Sequence, residues 1–420
     1  MSGAPRDVAR MRVSIISVGD ELISGRVVDR HAATASARLT ALGAAVVSHR
    51  TVGDREGDLA AALRQDVAGS DVVLITGGLG PTEDDRTREE VASAAGVKLE
   101  FREEWWDRIA ERFRRYGLDP SDRNRRQAFF PETAEGVENR FGSAPAFRLR
   151  IDNTEVWSLP GVPDEFQGIL DEVVIPALEP RLTPPAVERV WTFYGVPESA
   201  LDGWVVDQLK AEGLPPDHHI CVRDGEIELR ISADFDLLPR ARAEFGSRCL
   251  GGGEANLATR VVAEARDRRG TIAIAESCTG GIIAGRLTDV AGCSAVFQQS
   301  WVTYANEAKT QELGVPSELF IEHGAVSAPV AEALAQGARV RARSDWAVST
   351  TGIAGPSGGT NEKPVGLIWF GIATADGVVS GQRRFRGDRA RIRSYGATQA
   401  FSSLLAAIRG EDPFPWRSDS

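Results

Sequence analysis

Two serines in turns of small residues are the side chains of this chain best placed for nucleophilic chemistry. Ser277 follows a β-branched run at 271–275, where a strand is predicted to end. Ser294 lies in a second turn, between Cys293 and Ala295. Open α/β sheets carry their chemistry at the carboxyl ends of strands, which favours Ser277 by position. Each serine is also compatible with a structural role, as a helix cap or a turn residue.

A lysine is the candidate base for these serines. Lys309 lies one turn into a helical pattern that follows Tyr304. The only histidine in residues 256–409 is His323, so no Asp–His pair is evident to activate a serine. A lysine can serve instead when burial lowers its pKa, and serine–lysine dyads are an established variant of acyl transfer. The alternatives are a solvated surface position for Lys309 and a place in the core for Tyr304.

Backbone and arginine donors near these residues could bind the rest of an acyl substrate. The N–H groups of Gly280 and Gly281 could stabilise a developing oxyanion. Those of Thr351 and Gly352, which follow another predicted strand, could do the same. Arg389, which follows a Gly-Asp pair, could bind a phosphate through two parallel hydrogen bonds. Together the residues predict the catalytic centre of an amidohydrolase.

Alternating strands and helices between residues 256 and 409 would position these side chains. The pattern predicts a layered α/β/α domain in which the two glycine-rich loops face one cleft. Strands are predicted at 271–275, 296–304, 346–350, 365–374 and 378–385, and helices at 257–268, 280–290, 306–313, 328–342 and 390–408.

A second alternation, over residues 11–176, predicts an α/β domain with a parallel sheet. Its third predicted strand, 71–76, ends in a glycine-rich loop whose backbone can approach a ligand, and a helix N-terminus beyond it favours anions. Asp84 and Asp85 could hold a divalent metal ion that neutralises ligand phosphates, whereas the alternative is a helix-capping loop. The candidate nucleotide-binding residues are Gly77, Gly78, Gly80, Thr82, Asp84 and Asp85, with Asp84 as the candidate metal ligand.

The intervening residues, 177–251, predict a small α+β unit. Pro184 and Pro185 break the helical pattern and mark its boundary. Two strands, 219–222 and 226–231, are predicted to form a hairpin because they flank an Asp-Gly turn. Such a unit is too short for an active site of its own.

Composition argues against several classes of protein. With 60 acidic and 49 basic residues the net charge is −11, which disfavours binding of nucleic acid through phosphate contacts. No apolar run is long enough for a membrane span, and the first ten residues lack the apolar core of a signal peptide. The four cysteines have no metal-binding spacing and fit thiols in a reducing cytosol, which predicts a cytoplasmic protein.

Five segments of the last region closely resemble the C-terminal domain of CinA family proteins. That domain is a nicotinamide mononucleotide deamidase. The resemblance therefore implies hydrolysis of the nicotinamide carboxamide to nicotinate mononucleotide and ammonia, in pyridine nucleotide recycling. It implies no metal or other cofactor for this step. The segments are residues 275–281, 303–309, 323–327, 351–356 and 362–366.

The resemblance also implies roles for individual residues. Ser294 would be the nucleophile and Lys309 its base, while Tyr304 and Ser277 would support proton transfer or the oxyanion. The residues alone leave open which serine is the nucleophile. The residues implied in substrate binding are Thr279, Gly280, Gly281, Thr351, Gly352 and Arg389.

The first region resembles the molybdopterin-binding domain, in the version that opens CinA family proteins. In that family the domain is associated with metal-dependent ADP-ribose pyrophosphatase activity. The chain departs from the family pattern at Asp20 and at residues 29–31, which could alter or abolish such an activity. The resemblance rests on residues 14–20, 77–87, 124–128, 142–145 and 158–163.

CinA proteins carry a KH-like domain in the middle region, and the resemblance implies a homodimer. A KH domain binds nucleic acid through a GxxG loop, which residues 177–251 lack between their predicted helices. A spacer or dimer-forming role is therefore favoured over RNA binding. Two other functions stay open: an enzyme of molybdenum cofactor synthesis that handles a pterin, and a non-enzymatic role in competence or recombination.

Overall fold

The structure is a computed structural model that describes residues 10–115, 117–183, 188–253 and 255–416 of the 420-residue chain. The chain divides into two units, Met1–Ala186 and Val187–Ser420. Pro184, Pro185 and the first nine residues lie outside the described residues. Within the described ranges, no helix is long and apolar enough to cross a membrane.

Strands and helices alternate through the first unit. The strands are β1 Arg12–Val18, β2 Ala45–Val52, β3 Val72–Thr76, β4 Leu99–Phe101, β5 Phe129–Pro131, β6 Glu135–Val137, β7 Ala146–Ile151 and β8 Thr154–Leu159. The helices are α1 Asp20–Ile23, α2 His31–Ala41, α3 Asp58–Val67, α4 Thr87–Ala95, α5 Glu103–Arg115, α6 Pro163–Ile169 and α7 Ile175–Leu178. A π-helical stretch, Leu170–Val174, joins the last two.

The main sheet of this unit has the strand order β2-β1-β3-β8-β7-β6. The first four strands are parallel, which confirms the predicted parallel sheet, and β7 and β6 extend it in antiparallel fashion. Alternate residues of a strand point to opposite faces. In β1, Ile16 and Val18 pack in one apolar cluster, and Val13 and Ile15 in another. Both faces of the sheet are therefore covered, as expected for a continuous apolar strand.

The first unit extends beyond the predicted domain boundary at residue 176. That boundary falls inside α7, whose Leu178 is fully buried in the same apolar cluster as Phe166. Leu182 also packs against this cluster. Because these side chains continue the core of the first unit, the segment that begins at 177 belongs with the residues before it.

The second unit contains two sheets. Its strands are β9 Glu188–Tyr194, β10 His218–Arg223, β11 Glu226–Ser232, β12 Cys249–Gly252, β13 Ile272–Glu276, β14 Phe297–Val302, β15 Trp346–Gly352, β16 Leu367–Thr374 and β17 Gly377–Arg384. Its helices are α8 Glu198–Ala211, α9 Leu238–Phe245, α10 Leu257–Asp267, α11 Ile282–Thr288, α12 Asn306–Leu313, α13 Ser317–Glu322, α14 Ala328–Ala342 and α15 Arg389–Arg409.

The smaller sheet is antiparallel, in the order β10-β11-β9-β12, and α8 and α9 pack with it around a separate core. This confirms the predicted small α+β unit. The predicted hairpin is formed by β10 and β11. Asp224 and Gly225 at its tip have φ of 55° and 86°, the two positive values that a tight hairpin turn requires.

The larger sheet has the order β14-β13-β15-β16-β17, with the first three strands parallel and the last two antiparallel. Ile272 and Ile274 of β13 pack in a cluster with residues of α10, α11 and α15. Ala273 and Ala275 pack on the opposite face, with residues of α14. Helices therefore cover both faces, which confirms the predicted α/β/α layering and leaves β14 as an edge strand.

Candidate active site

A buried carboxylate organises the loop that follows β13. Glu276, the last residue of the strand, is fully buried. Its Oε2 accepts hydrogen bonds from Gly281 N (2.9 Å) and Ile283 N (3.2 Å), and its Oε1 accepts one from Ala284 N (2.9 Å). These are free N–H groups at the start of α11, which favour a negative partner. Glu276 therefore fixes where the loop turns and where α11 begins.

The two glycines of this loop are not free to donate to an oxyanion. Gly281 donates its N–H to Glu276, and Gly280 donates its N–H to Ser277 O at 3.1 Å. Their φ values, 61° and 95°, lie in the left-handed region, which explains why glycine occupies both positions. The prediction that Gly280 and Gly281 supply oxyanion donors is therefore wrong for this conformation; the glycines shape the loop instead.

Lys309 is a buried base candidate rather than a surface residue. Only 1% of its surface is exposed. Its Nζ donates to Thr303 O at 2.9 Å and to Tyr304 O at 3.1 Å. Burial lowers the pKa of Lys309, although the negative charge of Glu307 partly opposes that shift. A neutral amine has two N–H bonds and one lone pair, so the two carbonyls can bind both N–H bonds and leave the lone pair to accept a proton.

Two residues beside Lys309 were not anticipated as part of the site. Cys278 is buried, and desolvation raises the pKa of its thiol to about 12, so it stays protonated at neutral pH. Thr303 donates its N–H to Glu276 O at 2.9 Å, and its hydroxyl is buried without a hydrogen-bond partner in the described part of the chain. Both follow strand ends, which is the sequence signal that could have identified them.

Tyr304 and Arg389 meet at the exposed rim of this site. Tyr304 is 62% exposed, so the alternative of a core tyrosine is excluded. Arg389 donates from Nη2 to Tyr304 Oη at 2.9 Å and from Nη1 to Gly355 O at 2.8 Å. It is the first residue of α15, where a helix N-terminus adds positive potential. The pair therefore forms a cationic, solvent-accessible position suited to an anionic group.

The predicted substrate-binding threonines have other partners. Thr351 is buried and donates from Oγ1 to Ala325 O at 2.7 Å. Thr279 is also buried, with its hydroxyl 2.8 Å from that of Thr350. Both side chains therefore brace the loops of the site. Gly352 ends β15, where an added Cβ would lie 2.7 Å from Leu367 O, so its role is close strand packing.

The structure separates Ser294 from Lys309 within one chain. Ser294 lies in a 3-10 turn before β14, whereas Thr303 and Tyr304, which bind Lys309, follow that strand. A six-residue strand spans roughly 16 Å. Ser277 instead follows Glu276, whose carbonyl accepts the N–H of Thr303, and Thr303 O in turn binds the Lys309 amine. A site built from one chain therefore joins Lys309 to the Ser277 loop, and Ser294 is not part of it.

Arg393 also belongs to the site and was missed from the sequence. It lies one helical turn after Arg389 and donates to Cys278 O at 3.2 Å and to Thr279 O at 2.8 Å. An added Cβ at Gly280 would lie 2.9 Å from Arg393 Nη2. The spacing of four between the two arginines places them on one face of α15 and was the available signal.

The glycine-rich loop after β3 is held by contacts of its own. Gly77 and Gly78 have φ of 104° and 66°, and an added Cβ at Gly77 would lie 2.4 Å from Val18 O. Thr87, the first residue of α4, donates from Oγ1 to Gly77 O at 2.7 Å. The loop therefore turns tightly from strand to helix, as the sequence predicts.

The acidic residues of this loop are not preassembled as a metal cluster in the described part of the chain. Asp85 Oδ2 accepts from Thr82 N at 2.8 Å and from Thr82 Oγ1 at 2.5 Å, so it stabilises the turn. Within the described ranges, no group of three His, Cys, Asp or Glu side chains is arranged to hold a metal ion. A Cβ added at Gly80 would lie 2.4 Å from Asp85 Oδ2, so the Asp85 carboxylate packs directly against this glycine. Asp85 binds within the loop and does not cap α4, whose N-cap is Arg86 and which has no side-chain cap hydrogen bond. Asp84 as a metal ligand stays a prediction.

A buried arginine and a histidine flank the same loop. Arg88 donates from Nη1 to Leu79 O at 3.0 Å, and desolvation lowers its pKa to about 10. Its Nε and Nη2 are buried without partners in the part of the chain that the structure describes. His31, one of the departures from the family pattern, lies with Nδ1 3.0 Å from Thr76 Oγ1 and stacks on Phe166. The departure is therefore adjacent to the candidate nucleotide-binding loop.

Comparison with known proteins identifies the family of both regions. Residues 254–408 match the family model "CinA C-terminal domain", and residues 14–180 match "Probable molybdopterin binding domain". A "CinA-like protein" of Anaeromyxobacter sp. (strain Fw109-5) is 42% identical over 95% of this chain and all of its own length. A "CinA-like protein" of Geobacter sulfurreducens is 41% identical over 94% of this chain and 98% of its own.

Among solved structures, the competence/damage inducible protein CihA from Agrobacterium tumefaciens is 42% identical, with a TM-score of 0.35. That similarity covers 36% of this chain and 93% of the other. The identities to full-length relatives and the two matched domains lead to one conclusion. The chain belongs to the CinA family.

Proposed function

We propose that the second unit is an amidohydrolase that converts nicotinamide mononucleotide to nicotinate mononucleotide and ammonia in pyridine nucleotide recycling. The observation that carries the proposal is Lys309, a buried amine with a lowered pKa at the edge of the sheet where a serine loop ends. The motifs shared with CinA C-terminal domains support the choice of substrate, a small-molecule nucleotide.

The reaction follows from the groups at this edge. The Lys309 amine accepts the proton of a serine hydroxyl as the serine oxygen bonds to the carboxamide carbon. The tetrahedral intermediate collapses as its amide nitrogen takes that proton from Lys309 and leaves as ammonia. Water then attacks the acyl-serine and gives a proton to Lys309, which passes it to the serine oxygen as the acyl–oxygen bond breaks and nicotinate mononucleotide leaves. Arg389 would bind the substrate phosphate beside the Tyr304 hydroxyl.

One-chain geometry supports Ser277 as the nucleophile. It follows Glu276, whose carbonyl accepts the N–H of Thr303, the residue whose own carbonyl binds Lys309. Ser294 can join Lys309 only across two chains. Two β14 edge strands paired antiparallel about a two-fold axis would set the Ser294 end of each against the Thr303 end of the other. In a homodimer, which the family resemblance implies, Ser294 of one chain would therefore be the alternative nucleophile for Lys309 of the other.

The experiment measures ammonia and nicotinate mononucleotide from nicotinamide mononucleotide, with no added metal. The proposal expects release by the wild type, and no release would overturn it. Ser277→Ala is expected to abolish release and Ser294→Ala to preserve it. If Ser294→Ala and Lys309→Met are each inactive but regain activity when their subunits are mixed, Ser294 acts on the partner's site.

For the first unit we propose a metal-dependent ADP-ribose pyrophosphatase, carried by the tight glycine loop and the unpartnered nitrogens of buried Arg88. The acidic loop would acquire its metal ion together with a diphosphate ligand, because a preformed set of ligands is lacking among the described residues. Hydrolysis of ADP-ribose with and without Mg²⁺ tests this separately. A pterin-handling enzyme is the competing function, and binding of molybdopterin without ADP-ribose hydrolysis would favour it.

We propose a cytoplasmic location, because all four cysteines are free, as expected in a reducing compartment. The excess of acidic residues argues against direct DNA binding.

A further inference from the structure

The tip of the β10–β11 hairpin contacts the helices that support the candidate active site. Asp224 Oδ2 lies 3.2 Å from Arg286 Nη2, in α11. Asp224 Oδ1 accepts a hydrogen bond from the hydroxyl of Ser394, and Asp224 O accepts one from Thr398 Oγ1 at 2.5 Å. Ser394 and Thr398 belong to α15. One turn residue of the smaller sheet therefore binds two helices of the larger one.

These contacts close a network that links α11 to α15. Arg286 donates from Nη1 to Thr398 Oγ1 at 2.8 Å and from Nη2 to Ser394 Oγ. The side chain of Arg286 is only partly exposed, and the Asp224 carboxylate supplies its charge partner at the tip of the hairpin. Removal of Asp224 would leave the guanidinium with neutral acceptors only.

The hairpin tip also packs closely on α15. An added Cβ at Gly225 would lie 3.1 Å from the ring of Tyr395, and Gly225 has φ of 86°. A larger residue there would be strained in conformation and crowded by Tyr395. The turn type fixes where Asp224 points. It requires glycine at position 225, and the same glycine lets the turn pack closely on Tyr395.

Both linked helices begin at the candidate active site. The first turn of α11 is bound by Glu276 and directly follows the Ser277 loop. At the start of α15, Arg389 binds Tyr304, and Arg393 binds the carbonyls of Cys278 and Thr279. Arg393 is adjacent to Ser394, the residue that binds Asp224. A shift between α11 and α15 would therefore change the placement of the serine loop relative to the arginines.

We propose that Asp224 is a positioning residue of the deamidase site: it holds α11 and α15 in the arrangement that aligns the Ser277 loop with Arg389 and Arg393. This gives the smaller sheet a role as a brace for the site. The proposal rests on the proposed function for its effect on turnover, but the physical link between the helices does not depend on the substrate.

The test compares Asp224→Ala and Asp224→Asn with Asp234→Asn in the full-length chain. Asp234 is a matched control, because it is an exposed carboxylate in the loop that follows β11 and its ion pair is with Arg189 of β9. Amide hydrogen exchange of peptides covering residues 277–288 and 389–398 reports how readily both helix starts open, without any substrate. Ammonia release gives kcat and KM.

Asp224→Ala is expected to raise exchange severalfold in both peptides and to lower kcat/KM roughly tenfold, because small misplacements of reacting groups are costly. Asp224→Asn, which keeps the Ser394 acceptor, is expected to retain more activity, and Asp234→Asn should match the wild type. Equal exchange and equal kcat/KM in Asp224→Ala and Asp234→Asn would overturn the proposal. If the wild type releases no ammonia but the exchange difference is found, the link stands and the proposed function fails.

Discussion

The candidate sites of the two units use polar side chains in opposite ways. In the second unit, Lys309 is fully buried and its pKa is lowered, mainly by desolvation. In the first unit, Asp85 is partly exposed and its carboxylate binds Thr82, three residues away. One group is held in a state that favours proton transfer, and the other stabilises a local turn. Spacing in the sequence did not distinguish these two uses.

The difference shows which polar groups are informative about function. A polar group whose hydrogen bonds are local, as those from Thr82 to Asp85 are, needs no ligand to explain it. A buried amine costs free energy unless its surroundings favour the neutral form, so Lys309 requires an explanation beyond packing. By the same criterion, Arg88 is the group of the first unit that most calls for an anionic ligand, because two of its buried nitrogens lack partners among the described residues.

The largest effect is expected from Lys309→Met, which preserves much of the side-chain volume and removes the base. Deamidation should fall by about 10³-fold or more, because loss of one member of a nucleophile–base pair removes most of its contribution. Ammonia release measures this, and Lys210→Met, at an exposed position on α8, is the matched control. Activity of Lys309→Met within tenfold of the wild type would contradict the role of Lys309 as base.

A pH dependence should follow from the same lysine. Burial places the folded-state pKa of Lys309 below its ordinary value of about 10.4, so kcat should rise with pH through the lowered pKa as the neutral amine forms. Between the folded and unfolded pKa values the unfolded chain binds more protons. The free energy of unfolding of the second unit should therefore also rise with pH across that window.

Profiles of kcat and of urea unfolding against pH check both effects, with Lys309→Met as the reference. If kcat or the free energy of unfolding still rises with pH in Lys309→Met, the titrating group is not Lys309.

Most of the fold could be predicted from the sequence because each strand and turn is specified by an apolar run or by turn residues only a few positions long. The apolar run of β13 and the glycines after it specify a buried strand and a tight turn, and the Asp-Gly pair specifies the hairpin of β10 and β11. The antiparallel strands β6 and β7 and the end of the first unit near Leu182 were not predicted. Those features depend on packing between distant segments, which periodicity does not record.

The candidate site was predicted in its residue types but only partly in its geometry. Lys309, Tyr304 and Arg389 do meet at one edge of the sheet. The glycine N–H groups were misassigned because Gly281 donates to Glu276 and Gly280 donates to Ser277 O, two partners that the sequence does not indicate. The strand predicted at 296–304 already separated Ser294 from Lys309, and the structure places Ser294 before β14 and the carbonyls that bind Lys309 after it. The assignment of Ser294 as nucleophile therefore stays a prediction that requires a second chain.

A smaller effect, on stability rather than chemistry, is expected from Glu276→Gln. Glutamine keeps one acceptor oxygen but presents an NH₂ group toward N–H donors that Glu276 now binds. The cost should be about 2 kcal/mol in the free energy of unfolding, as for loss of a buried charge-assisted hydrogen bond. Urea unfolding measures it. A loss below about 0.5 kcal/mol would show that α11 does not depend on this carboxylate.

The smallest effects on stability are expected at the acidic loop of the first unit. Comparing them with the effects on hydrolysis decides whether that loop is only structural. Asp85→Ala should cost about 1 kcal/mol in the free energy of unfolding, because Thr82 loses its acceptor at a turn that is open to water. Asp84→Asn should leave stability within about 0.5 kcal/mol, as is usual at the surface.

If Asp84 is a metal ligand, Asp84→Asn should nevertheless abolish Mg²⁺-dependent ADP-ribose hydrolysis, whereas Asp85→Ala should retain it at temperatures where the unit is folded. Equal hydrolysis by Asp84→Asn and the wild type would remove the carboxylate from the metal site and leave this loop a turn, in full contrast to the site around Lys309.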